Sequence, residues 1–292
     1  MDLVYLGQLV LNALMLGVIY SLIALGFTLI FGIARVVNFA HGEIFMMSSF
    51  VMYYLMTALG LPGMLAIIAC ALIMAGVGLV LERGLFRRLR PQEVGTAAEF
   101  PSVIITLALI LIIPASVVAI CGTKEKAIPS LISGVIMLGP IPLSAERLLI
   151  VIVGLALFVS LLFFIWRHKE GRALSAAAQD SEAALLQGVN LNRAASVSFS
   201  IGFGLAAVAG SLLAPIYYVE PTMGPSALLK TCIVVILGGI GSIPGTLLGG
   251  LIFGFIESFG RAFLSGSFPM LIAFGIVMLV LIIRPRGLLG HD

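Results

Sequence analysis

Apolar runs long enough to cross a lipid bilayer recur along the whole 292-residue chain. The nine longest cover residues 7–34, 44–59, 64–81, 101–121, 148–166, 194–217, 228–240, 246–259 and 268–283. A spanning helix needs about 20 mostly apolar residues, and its backbone groups must bond internally because hydrocarbon offers no water. The sequence therefore predicts an all-α polytopic membrane protein: one transmembrane domain, residues 1–292, with about eight or nine transmembrane or broken helices.

The composition excludes several other classes of protein. Mean hydropathy is +1.22 and only 10% of the residues are charged, which excludes a soluble fold. The net charge of +3 carries no implication of nucleic-acid binding, because the basic residues stand at the ends of the apolar runs. The first residues lack the basic region of a secretory signal, so we expect the first run to remain as a span.

The distribution of basic residues predicts the topology. If all nine runs cross, one side of the membrane receives eleven of the 16 Lys and Arg residues. Cytoplasmic loops are enriched in these residues, so residues 167–193 and the C-terminus are predicted to be cytoplasmic and the N-terminus outside. The two termini are predicted to lie on the same sides as before if residues 228–259 form a re-entrant hairpin instead of two crossings. If residues 44–59 form the re-entrant segment instead, the N-terminus is predicted to be cytoplasmic.

Residues 167–193 form a polar island that carries 7 of the chain's charged residues between two apolar runs. Asp180 or Ser181 can cap a helix there, and Gly188 can end it in the left-handed conformation after about two turns. A helix this short is marginal alone in water. We therefore expect it to dock, either on its own subunit or on a partner.

One loop and one missing motif limit what the chain can do outside the apolar runs. Residues 122–146 are rich in Pro and Gly and are predicted to form a small external lip rather than a domain. The sequence has no Gly-rich phosphate loop of the G-x-x-x-x-G-K-[ST] type, so any ATP chemistry must belong to another chain.

The apolar pattern breaks in a similar way at residues 32–43 and 238–250, which suggests an internal two-fold repeat. Interrupted helices in corresponding halves indicate a transport pathway. The alternative is a pair of interfacial turns whose glycines let helices approach closely, with Glu43 favouring a helix start. The candidate pathway residues are Asn38, His41, Gly42, Glu43, Gly239, Gly241, Ser242 and Gly245.

Catalytic and metal sites are not expected. With only three histidines, His41, His168 and His291, the chain shows no nucleophilic or metal-ligating set. We therefore predict a protein that is no enzyme and has no cofactor of its own.

Glu257 and Arg261 have the spacing of a helical ion pair, which we interpret as a pair at the membrane interface.

Several motifs resemble those of one family. Residues 182–188 read Glu-Ala-Ala-Leu-Leu-Gln-Gly and match the E-A-A-x-x-x-G loop of bacterial importer permeases of the ATP-binding cassette class. The chain is similar to LivH-type branched-chain amino-acid permeases in three further places. These are residues 171–189, residues 234–250 and the segment from Asn38 to Glu43. The resemblance covers nearly the whole chain.

This resemblance implies a bacterial inner-membrane permease that works with several partners. These are cytoplasmic ATPase subunits that bind ATP, a second related permease, a periplasmic solute-binding protein and membrane lipid. The implied ATPase-coupling residues are Gly171, Arg172, Gln179, Asp180, Glu182, Ala183, Ala184 and Gly188. The pattern 241–245 favours amino acids over urea or amides. A self-sufficient secondary transporter or channel, using Glu43 or Glu257 for ion coupling, is the alternative.

Overall fold

The computed structural model describes residues 3–89, 99–139, 141–263 and 268–290. Within these ranges, eleven helices and one short antiparallel hairpin are found. The helices are α1 Leu3–Ala34, α2 His41–Thr57, α3 Gly63–Leu81, α4 Glu99–Cys121, α5 Ala145–Arg167, α6 Lys169–Gln179, α7 Ser181–Leu186, α8 Leu191–Leu213, α9 Gly224–Gly238, α10 Ile243–Phe263 and α11 Phe268–Ile283. The strands are β1 Val135–Leu138 and β2 Ile141–Ser144. A π-helical turn, Glu82–Phe86, prolongs α3 into Arg87–Leu89.

Six of these helices, namely α1, α3, α4, α5, α8 and α10, are long and apolar enough to cross a membrane. The predicted all-α polytopic membrane fold is therefore confirmed. α1 runs through the centre of the bundle, where it packs against α10, α8 and α5. Its side chains are almost all buried from residue 13 to residue 30.

The two ends of α1 define two sides of the molecule. Near its start, the Gln8 side chain donates a hydrogen bond of 3.4 Å to the carbonyl of Pro142 in β2, so the N-terminus lies on the lip side. Just beyond its end, Arg35 donates to the carbonyl of Ala178 in α6, at 3.5 Å, on the island side. The C-terminal segment lies on the island side too, because Gly290 packs against Gly239. The start of α1 and the segment that ends at Gly290 therefore lie on opposite sides of the bundle.

α2 and α9 begin inside the bundle instead of at its surface. The His41 Nε2 atom lies 3.0 Å from the carbonyl oxygen of Ile23. Ile23 precedes the end of α1 by 11 residues, which is about 16 Å along a helix. At Gly42, an added Cβ would overlap the carbonyl oxygen of Gly224, so the first turns of α2 and α9 touch. α2 and α9 therefore each cover only part of the height of the bundle, and non-helical chain before each of them covers the rest. The internal two-fold repeat stays a prediction.

Glycines permit the close approach of α1 and α10. An added Cβ at Gly250 would overlap the Ser21 hydroxyl, and one at Gly254 would overlap the backbone nitrogen of Gly17. The Ser21 hydroxyl lies 2.7 Å from the Gly17 carbonyl and 3.2 Å from that of Leu247 in α10. Small residues that let backbones approach, together with such hydrogen bonds, hold membrane helices together.

We expect Gly254→Val to destabilise the protein by about 1 to 3 kcal/mol or more, because the new side chain must separate α10 from α1. Melting temperature in detergent is the measurement. Gly76→Val is the matched control, since no heavy atom lies within 4 Å of an added Cβ at Gly76 in α3. Equal losses in the two variants would contradict this account of the packing.

Candidate functional site

The first helix of the polar island is anchored to its own subunit. α6 buries Gly171, Leu174 and Ala177. At Gly171, an added Cβ would overlap the Phe164 carbonyl, so α6 turns back closely against the end of α5. The Arg172 and Gln179 side chains point away from this contact and are exposed. α6 thus contacts α1, α5 and α8.

The second helix of the island has a well-defined start and end. The Asp180 carboxylate accepts hydrogen bonds from the backbone nitrogens of Glu182, at 2.9 Å, and Ala183, at 3.0 Å. Gly188 has a φ of +80°, and the backbone nitrogen of Val189 donates a hydrogen bond of 3.0 Å to the carbonyl of Ala184. These bonds confirm the predicted cap and the left-handed end, with Asp180 as the capping residue.

α7 exposes nearly all of its surface. Ala184 is its one buried residue among those described, whereas Glu182 and Ala183 are exposed. Leu186 is 89% exposed, and the neighbouring Leu185 is exposed as well. Two exposed leucines at the end of a short helix are unfavourable in water. These two leucines were not among the predicted site residues, although their position just before Gly188, in a polar segment of the chain, was a usable signal.

The first group of candidate pathway residues is completely enclosed. Asn38, His41 and Glu43 are each at most 2% exposed. The Asn38 side chain accepts a bond from the Ala40 nitrogen, and the His41 ring lies edge-on to Phe27 and Phe203. Gly42 and Glu43 pack against the start of α9.

Three buried polar atoms of this group have no hydrogen-bond partner among the described residues: Asn38 Nδ2, His41 Nδ1 and Glu43 Oε2. Buried polar groups without a partner are costly. Asn38 lies just before α2, and His41 and Glu43 lie in its first turn, so three of the unsatisfied buried polar atoms of the described residues are concentrated at the start of α2.

The second group lies elsewhere, on the island side. Gly239 and Gly241 have φ values of +103° and +87°, which glycine adopts readily. The Ser242 hydroxyl accepts a hydrogen bond of 3.1 Å from the nitrogen of Gly245 at the start of α10. A cleft of about 730 Å³ separates this turn from α6 and is lined by Gln179 as well as Gly241 and Ser242. The structure thus places the second group beside the island and not beside Glu43.

A buried charge network joins α1, α9 and α10. The Lys230 ammonium lies 2.8 Å from the Glu257 carboxylate and 2.9 Å from the Tyr20 hydroxyl, and Arg261 also pairs with Glu257. The predicted pair of Glu257 and Arg261 is confirmed, but the carboxylate is buried, with its side chain 6% exposed. Lys230 was missed because it lies 27 residues away in sequence. The described residues contain no cluster of His, Cys, Asp and Glu that could hold a metal ion.

Residues 9–283 match the family model described as a branched-chain amino acid transport system permease component. The chain belongs to this permease family. It is 37% identical to the high-affinity branched-chain amino acid transport permease BraD of Pseudomonas aeruginosa, over 98% of this chain and 96% of that protein. It is 33% identical to the corresponding LivH of Escherichia coli K12, with the same coverage. Membership places the chain among transport permeases and not among enzymes.

A solved structure has a similar fold. PsaBC from Streptococcus pneumoniae, in complex with Fab, aligns with a TM-score of 0.51 over 94% of this chain and 91% of that chain. The sequences are 13% identical, so the likeness concerns the fold alone. It agrees with the helical architecture described above.

Proposed function

We propose that this chain is the permease subunit of an ATP-binding cassette importer that carries branched-chain amino acids across the bacterial inner membrane. The observation that carries this proposal is the match, over nearly the full length of both chains, to permeases named for these substrates. In this function the solute arrives on a periplasmic binding protein. ATP is bound and hydrolysed by separate cytoplasmic ATPase subunits, so the permease itself needs no cofactor.

The polar island is the part of the chain that docks on the ATPase. Its exposed polar residues Arg172, Gln179, Asp180 and Glu182 contact the partner, and Leu186 fills an apolar pocket on it. The small residues Gly171, Ala183, Ala184 and Gly188 keep the backbones close. Support comes from the different environments of the two helices: α6 buries Gly171, Leu174 and Ala177, whereas Ala184 is the one residue of α7 that is buried among those described.

The two groups of pathway residues act at different levels. Asn38, His41, Gly42 and Glu43 lie where α2 and α9 meet, and their unpartnered polar atoms would face the solute when the helices separate. The turn beside Gln179 contains Gly239, Gly241, Ser242 and Gly245. Because this turn joins α9 to α10, a movement of the island reaches these two helices first. ATP can drive this movement only if it binds more tightly to one state of the transporter, outward-open or inward-open, than to the other.

The membrane unit is a pair of related permeases that face each other across the pathway. α4 and α5 expose most of their apolar surface in the single chain, and this surface is available to the second permease and to lipid. The island side is cytoplasmic and the lip side, with the N-terminus, is periplasmic. This orientation follows from the excess of Lys and Arg at the island side.

Uptake by reconstituted proteoliposomes tests the proposal. The permease pair, the ATPase subunits, the binding protein and internal ATP should together accumulate radiolabelled leucine, and omission of the ATPase should abolish accumulation. Unlabelled isoleucine should compete, whereas urea should not. Accumulation by this chain alone, driven by an ion gradient and indifferent to ATP, would establish a secondary transporter and refute the proposal.

Gly188→Val is expected to lower ATP-driven uptake by tenfold or more, because a β-branched residue resists the left-handed conformation that ends α7. Gly188→Asn, which tolerates that conformation, should retain most of the uptake. Gly60→Val is the matched control: Gly60 also has a positive φ, +64°, and no atom within 4 Å, but it lies on the lip side. A loss of uptake in the Gly60 variant as large as in the Gly188 variant would contradict a special role of the island.

A further inference from the structure

A cleft of about 590 Å³ opens on the island side between the end of α3, the start of α6 and the start of α8. We call it the basic cleft. Its charged and amide side chains are Arg83, Arg87, Glu170, Asn190, Asn192 and Arg193. None of these six is among the residues proposed to contact the ATPase or among the candidate pathway residues, although Glu170, Asn190, Asn192 and Arg193 lie within residues 167–193.

Three arginines line the basic cleft against one lining carboxylate, that of Glu170, and the buried carboxylate of Glu82 accepts a hydrogen bond from Ser196 at the wall of the cleft. Arg193 pairs with Glu170 at 2.6 Å. Arg83 and Arg87 are exposed, and neither forms an ion pair with a carboxylate of the described residues. The π-helical turn brings Arg83 and Arg87 to the same cleft, and such turns are frequent at functional sites. Two guanidinium groups that face one space form a site for an anion with several oxygen atoms, such as a phosphate.

The charged side chains of the cleft lie at its mouth. Its deeper wall combines apolar side chains with Ser196 and Ser200, whose hydroxyls already donate to Glu82 and to the Ala75 carbonyl. α3 runs towards the island side, so Leu79 lies one turn deeper in the membrane than Arg83. α8 runs in the opposite direction, so Ile201 lies two turns deeper than Arg193. Phe164 of α5 adds a further apolar surface. A ligand that fits this wall has a phosphate at one end and a hydrocarbon chain at the other.

We propose that the basic cleft binds an anionic phospholipid of the island-side leaflet. Its phosphate contacts Arg83 and Arg87, and one acyl chain follows Leu79 and Ile201 into the membrane. Basic pockets between membrane helices are suited to such headgroups. A soluble phosphate ester would share the phosphate contacts but would leave the apolar wall uncovered, which is why the lipid is the preferred ligand. This site depends neither on the transported solute nor on the ATPase.

Native mass spectrometry of the purified full chain, titrated with phosphatidylglycerol or phosphatidylcholine, tests the site. Each lost arginine should weaken binding of phosphatidylglycerol about fivefold, so Arg83→Gln/Arg87→Gln should weaken it about 25-fold. Phosphatidylcholine binding should change little. Arg88→Gln is the matched control, because Arg88 is an exposed neighbour that does not line the cleft.

Two results would overturn the proposal. One is an equal loss of phosphatidylglycerol binding in Arg88→Gln, which would show a diffuse attraction of charges. The other is displacement of the lipid by millimolar inorganic phosphate or ATP, which would assign the cleft to a soluble phosphate ligand. Equal melting temperatures of the variants in phosphatidylcholine show that the fold is intact, as expected for two exposed arginines without ion-pair partners in the described chain.

Discussion

Leu186→Asp is expected to lower ATP-driven uptake about 30-fold or more while the permease stays folded. Leu186 is 89% exposed, so a charge there costs the isolated chain little. In the proposed complex the same side chain enters an apolar pocket on the ATPase. Central apolar residues of an interface commonly contribute 2 kcal/mol or more to binding, which corresponds to about 30-fold in affinity.

Two measurements separate docking from folding. Co-purification of the ATPase subunit reports docking, and melting temperature in detergent reports folding. Leu59→Asp serves as the control, because Leu59 is also a highly exposed leucine but lies on the lip side. If Leu186→Asp keeps both the ATPase and full uptake, α7 is not the docking helix.

Glu257→Ala is expected to destabilise the fold by about 3 to 5 kcal/mol, because it leaves the ammonium of Lys230 without its carboxylate in the interior. Lys230 is only 20% exposed, and its other contact, the Tyr20 hydroxyl, is neutral. Arg261 is 52% exposed and can turn towards water or lipid headgroups. Thermal unfolding in detergent measures the loss, with Glu125→Ala in the exposed lip as control.

The double variant Lys230→Met/Glu257→Met distinguishes an ion pair from a general packing role. Replacing both members of a buried pair by apolar residues of similar size is often neutral. The double variant should therefore recover most of the stability that Glu257→Ala loses. A double variant as unstable as the single one would mean that the shapes of these side chains, and not their charges, hold the helices together.

Much of the fold could be predicted from the apolar runs alone. Hydrocarbon forces each long run to become a helix, so α1, α3, α4, α5 and α8 follow directly from run length. The start and end of α7 were also predictable, because Asp180 and Gly188 act on their immediate neighbours. In each case the information is local.

Long-range relations could not be predicted in the same way. Nothing local to α2 shows that His41 lies beside Ile23, inside the bundle, because that depth depends on how the chain from residue 35 to residue 40 folds back along α1. The pairing of Lys230 with Glu257 likewise joins two helices whose contact is set by packing. The distance between Glu43 and Gly241 could not be predicted for the same reason, because two similar interruptions of the apolar pattern can lie at different depths in the bundle.

Photo-crosslinking from position 186 shows whether this permease docks on an ATPase through α7. A photoreactive amino acid is placed at Leu186, or at Leu59 as control, and the permease is co-expressed with the ATPase subunit in membranes. We expect an adduct with the ATPase from position 186 and none from position 59. The absence of that adduct at position 186, in a sample whose ATPase co-purifies and whose uptake is intact, would contradict it.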